Sequence, residues 1–166
     1  MTTITTSLSV NIKQGPQISI PPIKTEVEAY DKIDVSIPPG ADVEVNVQPG
    51  DTGVSFLLIT SSVYALDKVE YAENLTYKPG DKPAISLDTP QLYLGTGSIT
   101  ALIGSVQKIM FSNKLPEIPE VPEIPATATE PAIPMVPAVP SPTAEISILV
   151  GRDATPTPTP TPPPTS

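Results

Sequence analysis

The chain of 166 residues has no cysteine, no histidine and no tryptophan. Without cysteine there is no disulfide, no thiolate metal site and no thiol nucleophile. Without histidine a Ser/His/Asp triad and imidazole metal ligation are excluded. Aromatics are scarce: two Phe, and the five tyrosines Tyr30, Tyr64, Tyr71, Tyr77 and Tyr93 are too dispersed for a base- or sugar-stacking platform. Positive charge is also in short supply, with 9 Lys and Arg against 18 Asp and Glu and a net charge of −9. An acidic chain without a basic cluster is repelled by nucleic acid and by anionic membrane surfaces. There is no long apolar run either. The least charged window, Thr89 to Gln107, is broken by Pro90, Gly95, Gly97 and Gly104 and is too polar to span a bilayer. The opening MTTITTSLSV lacks a positive n-region, so a soluble protein made in the cytoplasm without a cleaved secretory signal is expected.

What is present is period-two alternation, the mark of strands with one face buried. Ile4, Leu8, Val10 and Ile12 share one face of a first segment, Ile33, Val35 and Ile37 of a second, and Val43, Val45 and Val47 of a third. Asp42, Glu44 and Asn46 then face water. Turn chemistry separates the segments at Pro38-Pro39-Gly40, Pro49-Gly50-Asp51 and Pro79-Gly80-Asp81. Val54 to Thr60, VSFLLIT, is apolar on both faces and reads as a central strand. Further strands are expected at Val69 to Tyr77, Ala84 to Leu87, Gln91 to Leu94, Lys108 to Ser112 and Thr143 to Gly151. Ser98 to Val106 is open between a strand pair bent at Gly104 and a short helix, with strand preferred. The expected fold is all-β, an antiparallel β-sandwich or jelly-roll-like barrel.

Of the 24 prolines, 15 follow residue 115. Between Leu115 and Pro140 they fall at every third position, with Ala128 at the one gap in the register. Polyproline II has three residues per turn, so the prolines share one edge of a rod. A second edge carries Leu115, Ile118, Val121, Ile124, Ile133, Val136 and Val139, and a third begins with Glu117, Glu120 and Glu123. A solvated linker has no use for an aliphatic edge. These seven aliphatic residues are therefore the expected partner-binding set. The preferred geometry turns at ATATE, Ala126 to Glu130, and returns the chain to a strand of the same sheet; the alternative is a straight rod of roughly 80 Å that delivers the strand to a neighbouring subunit. The resulting organisation is a sandwich over 1–114, a proline-rich polyproline II excursion over 115–142, a returning strand over 143–152 and a disordered Thr/Pro tail over 153–166.

Catalytic chemistry finds little to work with. The nearest carboxylate pairs, Asp31 with Asp34 and Asp42 with Glu44, read as solvated edge charges. The glutamate row on the proline rod does not converge as a calcium site requires. Gly95 to Gly104 lacks phosphate-loop spacing, and the PxxP repeats lack the flanking Arg or Lys of an SH3 ligand. Asn74-Leu75-Thr76 matches a glycosylation sequon by letters only. The reading is a non-enzymatic protein with no cofactor and no metal.

The block ISLDTPQLYLGTGSI, Ile85 to Ile99, and the closing ISILVGRDATP, Ile146 to Pro156, look like phage virion-protein sequence. With the cysteine-free β domain and the extended proline-rich element, the chain resembles the capsid decoration or cement proteins of tailed bacteriophages. The resemblance covers most of residues 1–156 and implies a β-sandwich on the virion capsid surface, often trimeric. It implies as partners the major capsid protein and copies of itself as a homotrimer, with no nucleic acid and no membrane. A carbohydrate- or host-attachment module of a phage tail or cell surface is the alternative.

Overall fold

The computed structural model describes residues 1–10, 12–13, 15, 18–47, 53–65, 74–104, 107–117, 137–138 and 140–153. The strands in chain order are β1 (Thr2–Thr6), β2 (Ser9–Val10), β3 (Ile18–Ser19), β4 (Ile23–Val27), β5 (Ala29–Ile37), β6 (Asp42–Asn46), β7 (Val54–Ser61), β8 (Leu75–Pro79), β9 (Ile85–Ser86) and β10 (Gln91–Leu94). A short helix α1 (Thr96–Leu102) follows, then β11 (Lys108–Asn113) and β12 (Ala144–Arg152). Two antiparallel four-stranded sheets face each other, β10-β7-β12-β5 and β6-β11-β8-β9, and their inner faces supply one apolar core. The all-β sandwich expected from the alternation is what the chain builds.

The inward set follows the period of two. On β12, Ala144, Ile146, Ile148 and Val150 point into the core; on β7, Leu57 and Ile59; on β11, Ile109 and Phe111. Val45 and Val47 are buried while Asp42, Glu44 and Asn46 face water. Gly40, with φ of 73°, carries the corner between β5 and β6, which lie in opposite sheets. A left-handed backbone there suits glycine and strains any other residue. Pro49-Gly50-Asp51 lies outside the described residues, as does the expected strand before Asn74; its described part is β8.

The run Val54 to Thr60 is apolar on both faces because both are covered. Outward-facing Phe56 is roofed by the β1–β4 ribbon, which brings Ile4 and Val27 over Gly151. A Cβ on Gly151 would sit 2.8 Å from Val27 Cγ1 and 3.0 Å from Ile4 Cδ1. The glycine in TAEISILVG is therefore what lets the ribbon close on the sheet.

Three expectations change. Ile4, Leu8, Val10 and Ile12 do not form one buried strand: the segment breaks into β1, paired with β4, and β2, paired with β3. These ribbons lie outside the sandwich, so Leu8 and Ile12 remain 50% and 46% exposed. Thr96 to Leu102 is helical, although its β-branched content favours a bent strand pair. Gly95 and Gly104, both at positive φ, bracket the turn, and Ile99 and Ile103, four apart, are buried on one face. Tertiary burial of that pair overrides strand propensity. Finally, the proline-rich excursion does not join two strands of one sheet. It leaves β11 in the second sheet and returns as β12 in the first, between β7 and β5 of the same sandwich.

Candidate functional site: the neck of the proline-rich excursion

Asn113 ends β11 at a position where alternation demands an inward residue, and its side chain is fully buried. A buried amide is tolerable only with its hydrogen bonds made. Here Nδ2 donates to the Ile37 carbonyl and to the Pro142 carbonyl, each at 2.9 Å, while Oδ1 accepts from the Leu115 backbone N–H at 3.2 Å. One side chain thus binds the outgoing root at Leu115, the incoming root at Pro142 and the end of β5. The backbone reinforces it: Asn113 N–H donates to Ala41 O at 3.1 Å, Gly40 N–H to Asn113 O at 2.7 Å, and Lys114 N–H to Asn74 O at 2.5 Å. On the returning side Ala144 is fully buried, and Glu145 receives the Ser36 hydroxyl at 2.7 Å. The excursion is therefore held at both ends by a built neck, buried at Asn113, Leu115 and Ala144 and open to solvent at Pro142.

Of the expected partner-binding set, Leu115 lies in the core of its own sandwich. Its side chain fills the neck and does not stand on an outward edge. Ile118, Val121, Ile124, Ile133, Val136 and Val139 lie outside the described residues. Glu117 beside the outgoing root and Pro137, Ala138 and Pro140 beside the incoming root are exposed.

Three of the four carboxylates singled out in the sequence, Asp31, Asp34 and Glu44, are engaged separately. Asp31 forms an ion pair with Arg152, and Glu44 one with Lys108 at 2.6 Å. Asp34 accepts from Ser147 Oγ at 2.6 Å and from Lys32 Nζ at 2.9 Å, and these bonds hold its carboxyl below the ordinary range. Among the described residues no three His, Cys, Asp or Glu side chains group as metal ligands would. The interior holds one further polar pair: the Tyr77 and Tyr93 hydroxyls hydrogen-bond across the core, from β8 in one sheet to β10 in the other. Burial, then the Tyr93 hydroxyl, push the Tyr77 phenol well above its ordinary pKa, so it stays protonated and works as a cross-sheet tie. An open cleft of about 390 Å³ lies between the Pro79–Lys82 turn and Ile103, Gly104, Gln107 and Lys108. Its rim is mixed in charge, and Lys108 is already committed to Glu44.

Sequence reasoning passed over Asn113. The signal available was a polar residue at an inward position of a strand immediately before the proline register. Recognising it required knowing that Ile37 and Pro142 meet there.

Among the described residues no helix is long and apolar enough to cross a membrane. Comparison with protein-family models, with curated proteins and with solved structures finds no match.

Proposed function

We propose that the protein is a virion structural protein of the decoration or cement type, one that binds the outer capsid lattice and stabilises contacts between capsomers. The observation that carries this reading is the neck. A proline-rich, aliphatic-edged segment is rooted at both ends in a rigid sandwich by a buried asparagine and the core residue Leu115. Such a segment is displayed from a fixed base, as a mechanical clamp requires, whereas a passive spacer needs no such anchoring. The contact residues beyond the neck are those that the proline register singles out in the sequence, Ile118, Val121, Ile124, Ile133, Val136 and Val139. The partners are the major capsid protein and copies of the chain itself. Many weak contacts on a lattice sum by avidity, so no single contact has to be strong.

An attachment module would need exposed aromatic side chains for sugar stacking. Among the described residues Tyr30, 55% exposed, is the one aromatic standing open to solvent, which favours the structural role. The deciding experiment adds the purified protein to undecorated capsids. Rebinding together with a rise in the melting temperature of the shell is expected; failure of both refutes the proposal.

A further inference from the structure

The strand β5 is an outer strand, and among the described residues it pairs on one side only, with β12. Its nine residues make it far longer than the other outer strands β10, β6 and β9, of 4, 5 and 2 residues. A long open ladder is a template for another strand unless something blocks it. Two of the usual blocks are missing, since Ala29–Ile37 contains no proline and its register against β12 runs unbroken over all nine residues; the remaining one is charge, carried by Asp31, Lys32 and Asp34.

Its charges are arranged unlike a simple deterrent. Lys32 and Asp34 lie two apart on the solvent face, on either side of Ile33, and are of opposite sign. In an antiparallel pairing of two copies about a two-fold axis, residues equidistant from the centre face each other. With Ile33 at the centre, Lys32 of each copy lies opposite Asp34 of the other, and Tyr30 lies opposite Ser36. A centre at Lys32 sets two ammonium groups against each other, and a centre at Asp34 sets two carboxylates together. Like charges directly opposite are destabilising and unlike charges stabilising, so the charges select one of the three registers. The apolar side agrees. Ile33 and Val35 are only partly buried at the margin of the core, and this register brings Ile33 against Ile33 across the seam, with Val35 opposite Asp31, whose carboxylate is already paired with Arg152 of its own chain.

We propose that two copies of this chain pair antiparallel through β5, centred on Ile33, to join their first sheets into one continuous sheet. The Lys32–Asp34 pair, exposed within one chain, becomes a four-charge cluster across the two-fold. Asp34 is kept in place by Ser147 Oγ. The symmetry is two-fold, in contrast to the trimer that the phage resemblance implies.

The test is sedimentation equilibrium of the full chain at low ionic strength with wild type, K32D, D34K and the double reversal K32D/D34K. Wild type and the double reversal self-associate as dimers. Each single variant turns two unlike pairs into two like ones, which weakens self-association by about tenfold or more. An equimolar mixture of K32D and D34K regains wild-type affinity, because the two acidic side chains of one copy then face the two lysines of the other. Circular dichroism of each variant checks that it is folded; should a single variant fail to fold, the comparison of wild type with the double reversal decides. A wild type that stays monomeric at millimolar concentration overturns the proposal, as does a folded double reversal that does not dimerise. Single variants that associate as tightly as wild type, or a mixture that gains nothing, overturn it equally. The dimer depends on β5 and not on the capsid reading. Dimers that ignore capsids sink the cement reading alone, and a shell-binding monomer sinks the dimer alone.

Discussion

Replacing Asn113 with alanine tests whether the neck is as structural as its hydrogen bonds indicate. The substitution removes three bonds, to the Ile37 carbonyl, the Pro142 carbonyl and the Leu115 N–H. A buried group stripped of its partner loses roughly 1–3 kcal/mol. Ile37 and Leu115 are both buried, so their orphaned groups bear that full loss, whereas Pro142 is exposed and its carbonyl can turn to water. The expected destabilisation is therefore about 3 kcal/mol. With a urea m-value of about 2 kcal/mol/M for a domain of this size, the unfolding midpoint falls by about 1.5 M. Equilibrium urea denaturation followed by circular dichroism measures this directly. N113D is the informative companion, because it keeps the shape and loses both donors, setting a carboxylate against two carbonyls; it should be at least as destabilised as N113A at neutral pH. Loss of less than about 0.5 kcal/mol in N113A would show that water or a shifted backbone replaces the amide, and the neck would no longer be an argument for a clamp.

Truncation after Lys114 removes β12 from between β7 and β5 and with it the buried Ala144, Ile146, Ile148 and Val150; the remaining chain should show no cooperative melting transition by calorimetry. G151A forces a methyl group to within 2.8 Å of Val27 Cγ1, and the displaced ribbon should lower stability by about 1–3 kcal/mol, read from urea midpoints. For Tyr77 the sign follows from its raised folded-state pKa, above the ordinary 10.0. Above about pH 10 the unfolded chain has lost a proton that the folded chain keeps, so the stability Tyr77 contributes is full below that pH and declines as pH rises. Tyr77→Phe should make the loss of stability above about pH 9 shallower, by about half a proton near pH 10 and approaching one proton from about pH 11, and an unchanged slope would refute the assignment.

The parts of the fold that were legible in the sequence are those where one local rule decides. Val43 to Val47 alternates because one face of β6 meets the core and the other meets water, and no distant residue is needed to see it. Pro38-Pro39-Gly40 and Pro79-Gly80-Asp81 announce their turns through the positive φ that Gly40 and Gly80 adopt. The errors share a cause. Leu8 and Ile12 look buried by their spacing, but burial needs an opposing surface, and the ribbons β1–β4 and β2–β3 have none beneath those positions. Ile99 and Ile103 fit a helix only once β7 and β10 supply the surface they cover. Leu115 belongs by register to the aliphatic edge of the proline segment, yet the neck takes it into the core. Asn113 was invisible for the same reason: its partners Ile37, Leu115 and Pro142 are spread over more than a hundred residues of chain.

The position of the neck also settles where a force on the excursion is received. A segment appended to an edge strand would load that strand alone, peeling one hydrogen-bonded pair at a time. This excursion is continuous with β11 on one side and β12 on the other, and each of those strands is paired on both flanks. β11 is in register with five residues of β6 and five of β8, and β12 with nine residues of β5 and seven of β7. A pull along these strands is shared by the ladders of both sheets at once, because the hydrogen bonds lie perpendicular to it. Asn113, bridging the two roots, keeps them from separating before that load is shared. Forced unfolding from the excursion should therefore proceed without early detachment of either root, and N113A should lower the rupture force. A sandwich built so is suited to holding neighbouring subunits together under internal pressure, which is the mechanical task the cement reading assigns to it.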